Sequence, residues 1–329
     1  MSRPIPLLLT GAFAWTPEEI RELESFGFRA AFIQDERCSI DGDLSDLAGL
    51  DHLDVAAFEA VVCNGLFLHN DIRRFESLRF IQLTSAGLDR VPLDYIREKG
   101  IRLSNVGDAY ATPMAEWALM TALELLKEAR RFHDQQRERR WEKIRDIGEL
   151  AGMTACIVGM GSVGRRIAGR LKAFEVTVIG VTRTGQAPSS DCRLADRWAS
   201  MNELDEVLPE SDLIFLALPL TDETRHLMDA RRLARVKPGA LLINAARGAL
   251  LDEQALSEAL QSGLLGGAAL DVFEKEPLPA DSPLWTMENV IVTPHISFVS
   301  QKNHARLFRL IRDNLRLFAE SRLGKEFPP

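Results

Sequence analysis

The chain has 329 residues, 46% hydrophobic and 27% charged, with a formal net charge of −8. That length suits about two domains of ordinary globular composition, and the acidic balance, with no Lys/Arg run, offers nothing to nucleic acid or an anionic membrane. No stretch approaches the roughly 18 apolar residues of a membrane span, and the four cysteines, Cys38, Cys63, Cys156 and Cys192, show no CxxC spacing, so neither a disulfide framework nor a zinc site is implied.

The opening residues, Met1 to Thr10, hold a brief apolar run interrupted by Pro4 and Pro6, too short for a signal-peptide core. A cytoplasmic location is therefore the default expectation. Pro6–Leu9 reads as a strand. Thr16-Pro17-Glu18-Glu19 reads as a helix start, with Thr16 the cap, Pro17 at the first helical position and Glu19 completing a capping box. Further strands are predicted at Ala30–Ile33, Ala60–Cys63 and Phe80–Leu83. A short helix, Asp94–Lys99, is stopped by Gly100. Cys63 and Cys156 sit in apolar runs and read as buried small hydrophobes.

Residues 113–140 read as one long helix whose second half, from Lys127, is dense in charge, either solvated or packed on a partner subunit. Strands are then predicted at Thr154–Val158, Val176–Val181, Leu213–Leu218, Leu241–Asn244, Ala268–Val272 and Val290–Thr293, with helices between most of them. Six parallel strands with crossover helices imply a doubly wound, Rossmann-type domain. Ser300–Glu320 reads as a helix with Leu307, Leu310, Ile311 and Leu315 on one face.

Gly159-Met160-Gly161-Ser162-Val163-Gly164 follows the apolar strand Cys156–Val158 and opens a helix. A GxGxxG pattern alone is weak; in this context it marks a dinucleotide site. Gly159 permits the turn, Gly161 admits a pyrophosphate, Gly164 allows close helix–strand packing, and the N–H groups at Ser162 and Val163 meet the phosphate charge. About 20 residues on, where an NAD site carries an acid for the ribose hydroxyls, this chain has Thr182-Arg183. An arginine there suits a 2′-phosphate, so NADP(H) is expected over NAD(H), with NAD(H) still possible.

Three later strands end in charge: Asn244-Ala245-Ala246-Arg247-Gly248, Asp271-Val272-Phe273-Glu274-Lys275-Glu276-Pro277, and Thr293-Pro294-His295. Ligands of open α/β sheets sit beyond the carboxyl ends of the strands, so these groups are expected to converge. Reduction of a keto carbon makes an alkoxide that needs a proton. His295 suits that task because imidazole titrates near neutral pH, Glu276 would favour its charged form, and the fork of Arg247 suits a carboxylate. The remaining histidines, His52, His69, His133, His226 and His304, show no metal-ligand spacing, so no metal is expected.

Taken with Leu218-Pro219-Leu220-Thr221-Asp222-Glu223-Thr224, these blocks resemble, in order and spacing, the D-isomer-specific 2-hydroxyacid dehydrogenase family, nearest its glyoxylate and hydroxypyruvate reductase-like members. The resemblance implies a cofactor domain at 104–296 inserted into a flavodoxin-like substrate domain made of 1–103 and 297–329, with the two crossings acting as a hinge. It implies Arg247, Glu276 and His295 as catalytic groups, with Arg247 and His295 also on the substrate. It places Leu66 and Phe67 against the substrate side chain and the backbone of Ser85, Ala86 and Gly87 against its carboxylate. His69, just beyond, is more simply a surface residue. It adds Leu218, Pro219, Thr224, Ala245, Ala246, Asp271 and Ser297 to the cofactor contacts, with a structural role the alternative for Asp271, and implies a homodimer helped by the helix near 113–140. Phe298, where small residues are common, would narrow the nicotinamide side or simply pack. Two other readings share the fold: a nicotinamide-sensing corepressor-like binding protein, whose partner-binding segments this chain lacks, and a formate or phosphite dehydrogenase.

Overall fold

The computed structural model describes residues 3–35, 54–187 and 193–322. Cys38, His52 and Cys192 lie outside them. The chain divides into two compact units, Met1–Ala109 with Ser300–Pro329, and Tyr110–Val299.

The first unit is built on β1 (Ile5–Thr10), β2 (Phe28–Ile33), β3 (Ala60–Cys63), β4 (Phe80–Leu83) and β5 (Arg102–Ser104). All pairings are parallel, in the order β2-β1-β3-β4-β5. This is the flavodoxin-like order, with every carboxyl end at one edge. Helix α1 (Pro17–Ser25) begins as predicted: Thr16 Oγ1 accepts from the Glu19 N–H at 3.2 Å, and Glu19 Oε2 accepts from the Thr16 N–H at 2.9 Å. After α2 (Leu66–His69), α3 (Leu93–Lys99) stops at Gly100, whose φ of 64° only glycine adopts without strain.

β5 is an addition to the predicted strands. Arg102-Leu103-Ser104 is an edge strand with no fully buried residue, so it carries no apolar run to read. It keeps the joint between the units later than 103. Beyond it, Val106 N–H donates to Ser85 O at 3.2 Å and Asn105 Nδ2 to Ala86 O at 2.7 Å, which holds this stretch to the first sheet.

The C-terminal helix, which begins at Asn303, buries Leu307, Ile311, Leu315 and Phe318; Leu310 is only half-buried. Its Asn314 Nδ2 donates to Gln82 Oε1 and to Ser104 Oγ, both at 2.8 Å. That bond accounts for Gln82, a fully buried amide in the middle of β4, since a buried polar side chain without a partner is costly.

The second unit opens with α4 (Ala111–Leu126) and α5 (Ala129–Arg137), not the single helix expected over 113–140. The break is at Glu128, in the left-handed region at φ 56°. α4 buries a face of Ala115, Trp117, Ala118 and Ala122, whereas α5 buries only Gln135. Without an apolar face, the charged half has no reason to continue the line of α4.

Next come β6 (Thr154–Val158), α6 (Ser162–Lys172), β7 (Thr177–Thr182), β8 (Arg197–Ser200), α7 (Leu204–Val207), β9 (Leu213–Leu216), α8 (Ala230–Leu233), β10 (Ala240–Asn244), α9 (Glu253–Gln261), β11 (Leu265–Leu270) and β12 (Val290–Val292). The sheet is wholly parallel, in the order β12-β11-β10-β9-β6-β7-β8. This is the dinucleotide-binding order with one strand added beyond β11. Seven strands therefore replace the expected six. The missed one, β8, is an edge strand in which only Ala199 is buried. β9 and β11 end earlier than read, at Leu216 and Leu270, which places Leu218 and Asp271 in the loops beyond the strand ends.

Cys63 and Cys156 are both buried, and burial pushes the Cys156 thiol up to about 12, so it packs as a small hydrophobe. No helix among the described residues is long and apolar enough to cross a membrane.

Candidate active site

The glycine turn leaves β6 and enters α6. Gly159 has φ +100°, and a Cβ there would stand 2.5 Å from Ala217 O. A Cβ on Gly164 would stand 2.0 Å from Gly159 O, so helix and turn approach as only glycine permits. Gly161 differs: an added Cβ would meet nothing within 4 Å. Two glycines are thus demanded by the fold, and the third borders open space. Gly161 is also the N-cap and brings no side chain to the first-turn N–H groups of Ser162, Val163 and Gly164. Open space beside Gly161 at a helix N-terminus fits a pyrophosphate.

Leu218 lines the same turn, its Cβ 2.9 Å from the position of a Gly159 Cβ. Thr224 Oγ1 donates to Pro219 O at 2.9 Å and closes the turn between them. At the end of β7, Thr182 Oγ1 accepts from the Gly185 N–H at 3.0 Å and donates to Gln186 O at 3.2 Å. Thr182 therefore shapes a turn, and Arg183, exposed on it, is the group turned to solvent at the position of the missing acid.

The charged strand ends behave as a set. After β10, the fully buried Asn244 accepts from the Ala246 N–H at 3.0 Å and donates to Arg247 O at 2.9 Å. Its amide so folds the Ala245–Arg247 turn. Arg247 is half-buried and donates to Ala246 O at 2.8 Å. Gly248 then lets this loop touch the neighbouring one: a Cβ there would fall 1.9 Å from Phe273 C. Sequence reading gave Gly248 no role, since glycine after Arg is common. Its close approach is what joins the Arg247 loop to the turn bearing Glu276.

Glu276 accepts from the Phe273 N–H at 3.1 Å through Oε1, and its Oε2 lies 2.8 Å from His295 Nδ1. Both side chains are about a third exposed, at 36% for His295 and 37% for Glu276. The pair is open to a ligand yet held from behind. His295 sits in the left-handed region at φ 53°, its N–H donating to Asp271 O at 2.9 Å.

Asp271 is fully buried. Its Oδ1 accepts from Thr293 Oγ1 at 2.5 Å and from the Ile296 N–H at 2.8 Å, and its Oδ2 from the Ser297 N–H at 2.8 Å. It anchors the His295 loop. Ser297, 3% exposed, joins it in that role. Phe298 packs edge-on against Tyr110 at 5.2 Å and against the His295 ring at 6.0 Å. Burial raises the Tyr110 phenol above its usual value.

In the first unit, Ser85–Gly87 follows β4, with Ser85 Oγ donating to Gly87 O at 3.1 Å. Leu66 is fully buried in that unit's core, so it does not present itself to a substrate. Phe67 is half-buried and edge-on to Phe75 at 5.3 Å. His69 is exposed. Among the described residues no cluster of three His, Cys, Asp or Glu is arranged for a metal ion.

The description "D-isomer specific 2-hydroxyacid dehydrogenase, NAD binding domain" matches residues 119–297. A D-3-phosphoglycerate dehydrogenase of Methanocaldococcus jannaschii is 36% identical over 71% of this chain, and the match spans only 44% of that protein. A protein named glyoxylate/hydroxypyruvate reductase B, from Pectobacterium carotovorum, is 33% identical over 83% of this chain and 86% of its own length. Among solved structures, a D-isomer specific 2-hydroxyacid dehydrogenase of Xanthobacter autotrophicus in complex with NADPH and MES superposes with a TM-score of 0.75 at 27% identity, covering 98% of this chain and 96% of that one.

Proposed function

Because this chain belongs to the D-isomer specific 2-hydroxyacid dehydrogenase family, we propose that it reduces a small 2-keto acid of the glyoxylate or hydroxypyruvate kind to the D-2-hydroxy acid, with NADPH as preferred reductant. The observation that carries this reading is the His295–Glu276 pair, 2.8 Å apart, at the carboxyl edge of the sheet that also carries the glycine turn.

When bound, the reduced nicotinamide supplies the hydride. The rest falls to the chain's own groups. With Nδ1 engaged by Glu276, His295 exchanges the proton of the reacting oxygen through Nε2. Glu276, itself fixed by the Phe273 N–H, holds the ring in one orientation. Arg247 binds the substrate carboxylate and polarises the keto oxygen. Gly159, Gly161, Ser162, Val163 and Gly164 hold the pyrophosphate, with Leu218, Pro219, Ala245 and Ala246 lining the cofactor. Glyoxylate, hydroxypyruvate, pyruvate and phenylpyruvate, each assayed with NADPH and NADH by loss of reduced-nicotinamide absorbance, test the assignment. Negligible turnover on all four would leave a binding protein on this fold.

NADP(H) preference rests on Thr182 and Arg183, and the related structure in complex with NADPH is consistent with it. A charge-assisted contact to the 2′-phosphate contributes about 1.5–3 kcal/mol. Arg183→Ala is therefore expected to weaken NADPH roughly tenfold to a hundredfold while leaving NADH nearly unchanged. A parent enzyme that prefers NADH overturns this part of the reading.

We assign the α5 region to a homodimer contact. A cavity of about 1210 Å³ lies beside α5, bordered by Leu125, Arg130, Asp134, Asn289 and Ile291, and Trp141 just beyond is 97% exposed. An indole so exposed is the kind of anchor interfaces bury. Light scattering should give twice the chain mass, and Trp141→Ala should shift the equilibrium toward monomer; a monomeric parent removes the assignment.

A further inference from the structure

A cluster of acids lies behind the His295–Glu276 pair. Glu253, the first residue of α9, accepts from the Glu274 N–H through Oε1 at 2.5 Å, and its own N–H reaches back to Glu274 Oε1 at 3.5 Å. Glu274 lies two residues before Glu276, in the turn that Gly248 also touches. Glu253 therefore fastens the segment that begins with Arg247 to the turn that presents Glu276. His226, from the segment before α8, brings Nε2 to 3.1 Å from Glu274 Oε1, within ion-pair distance but out of line for a hydrogen bond.

We infer that Glu253 is a positioning residue for the reaction, holding the Glu276 turn in register with the Arg247 loop. The inference rests on the proposed dehydrogenase reading. Two features separate this role from an ordinary helix-terminal acid. Glu253 accepts from a backbone N–H of the turn that carries a catalytic group, whereas the helix cap itself is supplied by Asp252, whose carboxylate accepts from the Ala255 N–H at 3.0 Å. Its carboxyl is also pushed above the usual range, by burial first and then by the charges of Glu274 and Glu276, against the lowering effect of the Glu274 N–H.

The charged groups that act on Glu253 are Glu274 and Glu276 on the turn after β11; His226 in turn lies against Glu274 and His295 against Glu276. The linkage has a definite sign. A carboxyl whose folded pKa is raised contributes stability below its unfolded pKa and loses it as pH rises through the folded pKa. The charged form of Glu253 thus works against the fold.

The test uses the full chain with Glu253→Gln and Glu253→Ala, each followed by kcat and KM for keto-acid reduction, and Tm at pH 5 and 7.5. The amide oxygen of Gln can still accept the Glu274 N–H but carries no charge. Glu253→Gln should keep kcat within a few-fold at low pH and hold or raise Tm at pH 7.5. Glu253→Ala leaves the N–H without its acceptor and should lower kcat about tenfold with a smaller effect on KM. Parental kinetics in both variants overturn the inference, as does equal loss of kcat in both, since Gln keeps the acceptor and Ala does not. A parent without keto-acid turnover fails the dehydrogenase reading instead, before either variant is made.

Discussion

His295→Asn is expected to lower turnover by about 10²- to 10⁴-fold while changing nucleotide affinity by no more than a few-fold. The reasons for choosing Asn are structural. His295 holds φ 53°, a left-handed backbone that Asn adopts more readily than other side chains with a Cβ. The loop around it is fixed by Asp271 through the Ile296 and Ser297 N–H groups and the Thr293 hydroxyl, none of which uses the imidazole. The loop should thus survive the change, and what disappears is a group that can both give and take a proton near neutral pH. Single-turnover rates at saturating substrate, together with nucleotide titration, separate the two effects. A variant within tenfold of the parent in turnover would remove the imidazole from the chemistry.

The second large effect concerns the glycine turn, where two substitutions of the same size should behave differently. Gly164→Ala forces a methyl to within 2.0 Å of Gly159 O, a backbone atom that cannot swing away. It should lower Tm by several degrees, since overpacking costs about 1–3 kcal/mol, and weaken the cofactor through the distorted turn. Gly161→Ala meets no atom within 4 Å, so Tm should stay within about a degree. The methyl would then occupy the space assigned to the pyrophosphate, and affinity for NADPH should fall at least tenfold. Thermal melts with and without nucleotide read both quantities. Equal Tm losses in the two variants, or unchanged affinity in Gly161→Ala, would show that the open side of the turn does not receive a phosphate.

Much of this arrangement was legible in the chain because it is local. The capping box at Thr16 and Glu19, the stop at Gly100 and the glycine turn between β6 and α6 each follow from residues a few positions apart, and each is present. What escaped reading is held by contacts distant in sequence or too weakly apolar to signal. β5 and β8 are edge strands with at most one buried side chain apiece, so period-two patterning fails there. The break at Glu128 reflects a helix with no apolar face beyond it, and charge density alone read equally well as a solvated continuation. Asp271 and Gly248 were visible as letters, but their roles depend on Ile296, Ser297 and Phe273, some 25 residues away. Leu66, expected by resemblance to face the substrate, lies instead in the apolar core of its unit, which the sequence alone does not show.

The left-handed backbone at His295 carries a consequence for how such a chain can change over time. Asn and Asp, the side chains most at ease in that conformation, are each one base away from a histidine codon, and both are poor partners for a carbonyl at neutral pH. A descendant could therefore fall silent as a catalyst in one step and keep both sheets and the dinucleotide turn intact. The backbone leaves open a short mutational path from an enzyme to a protein that senses its cofactor without consuming it.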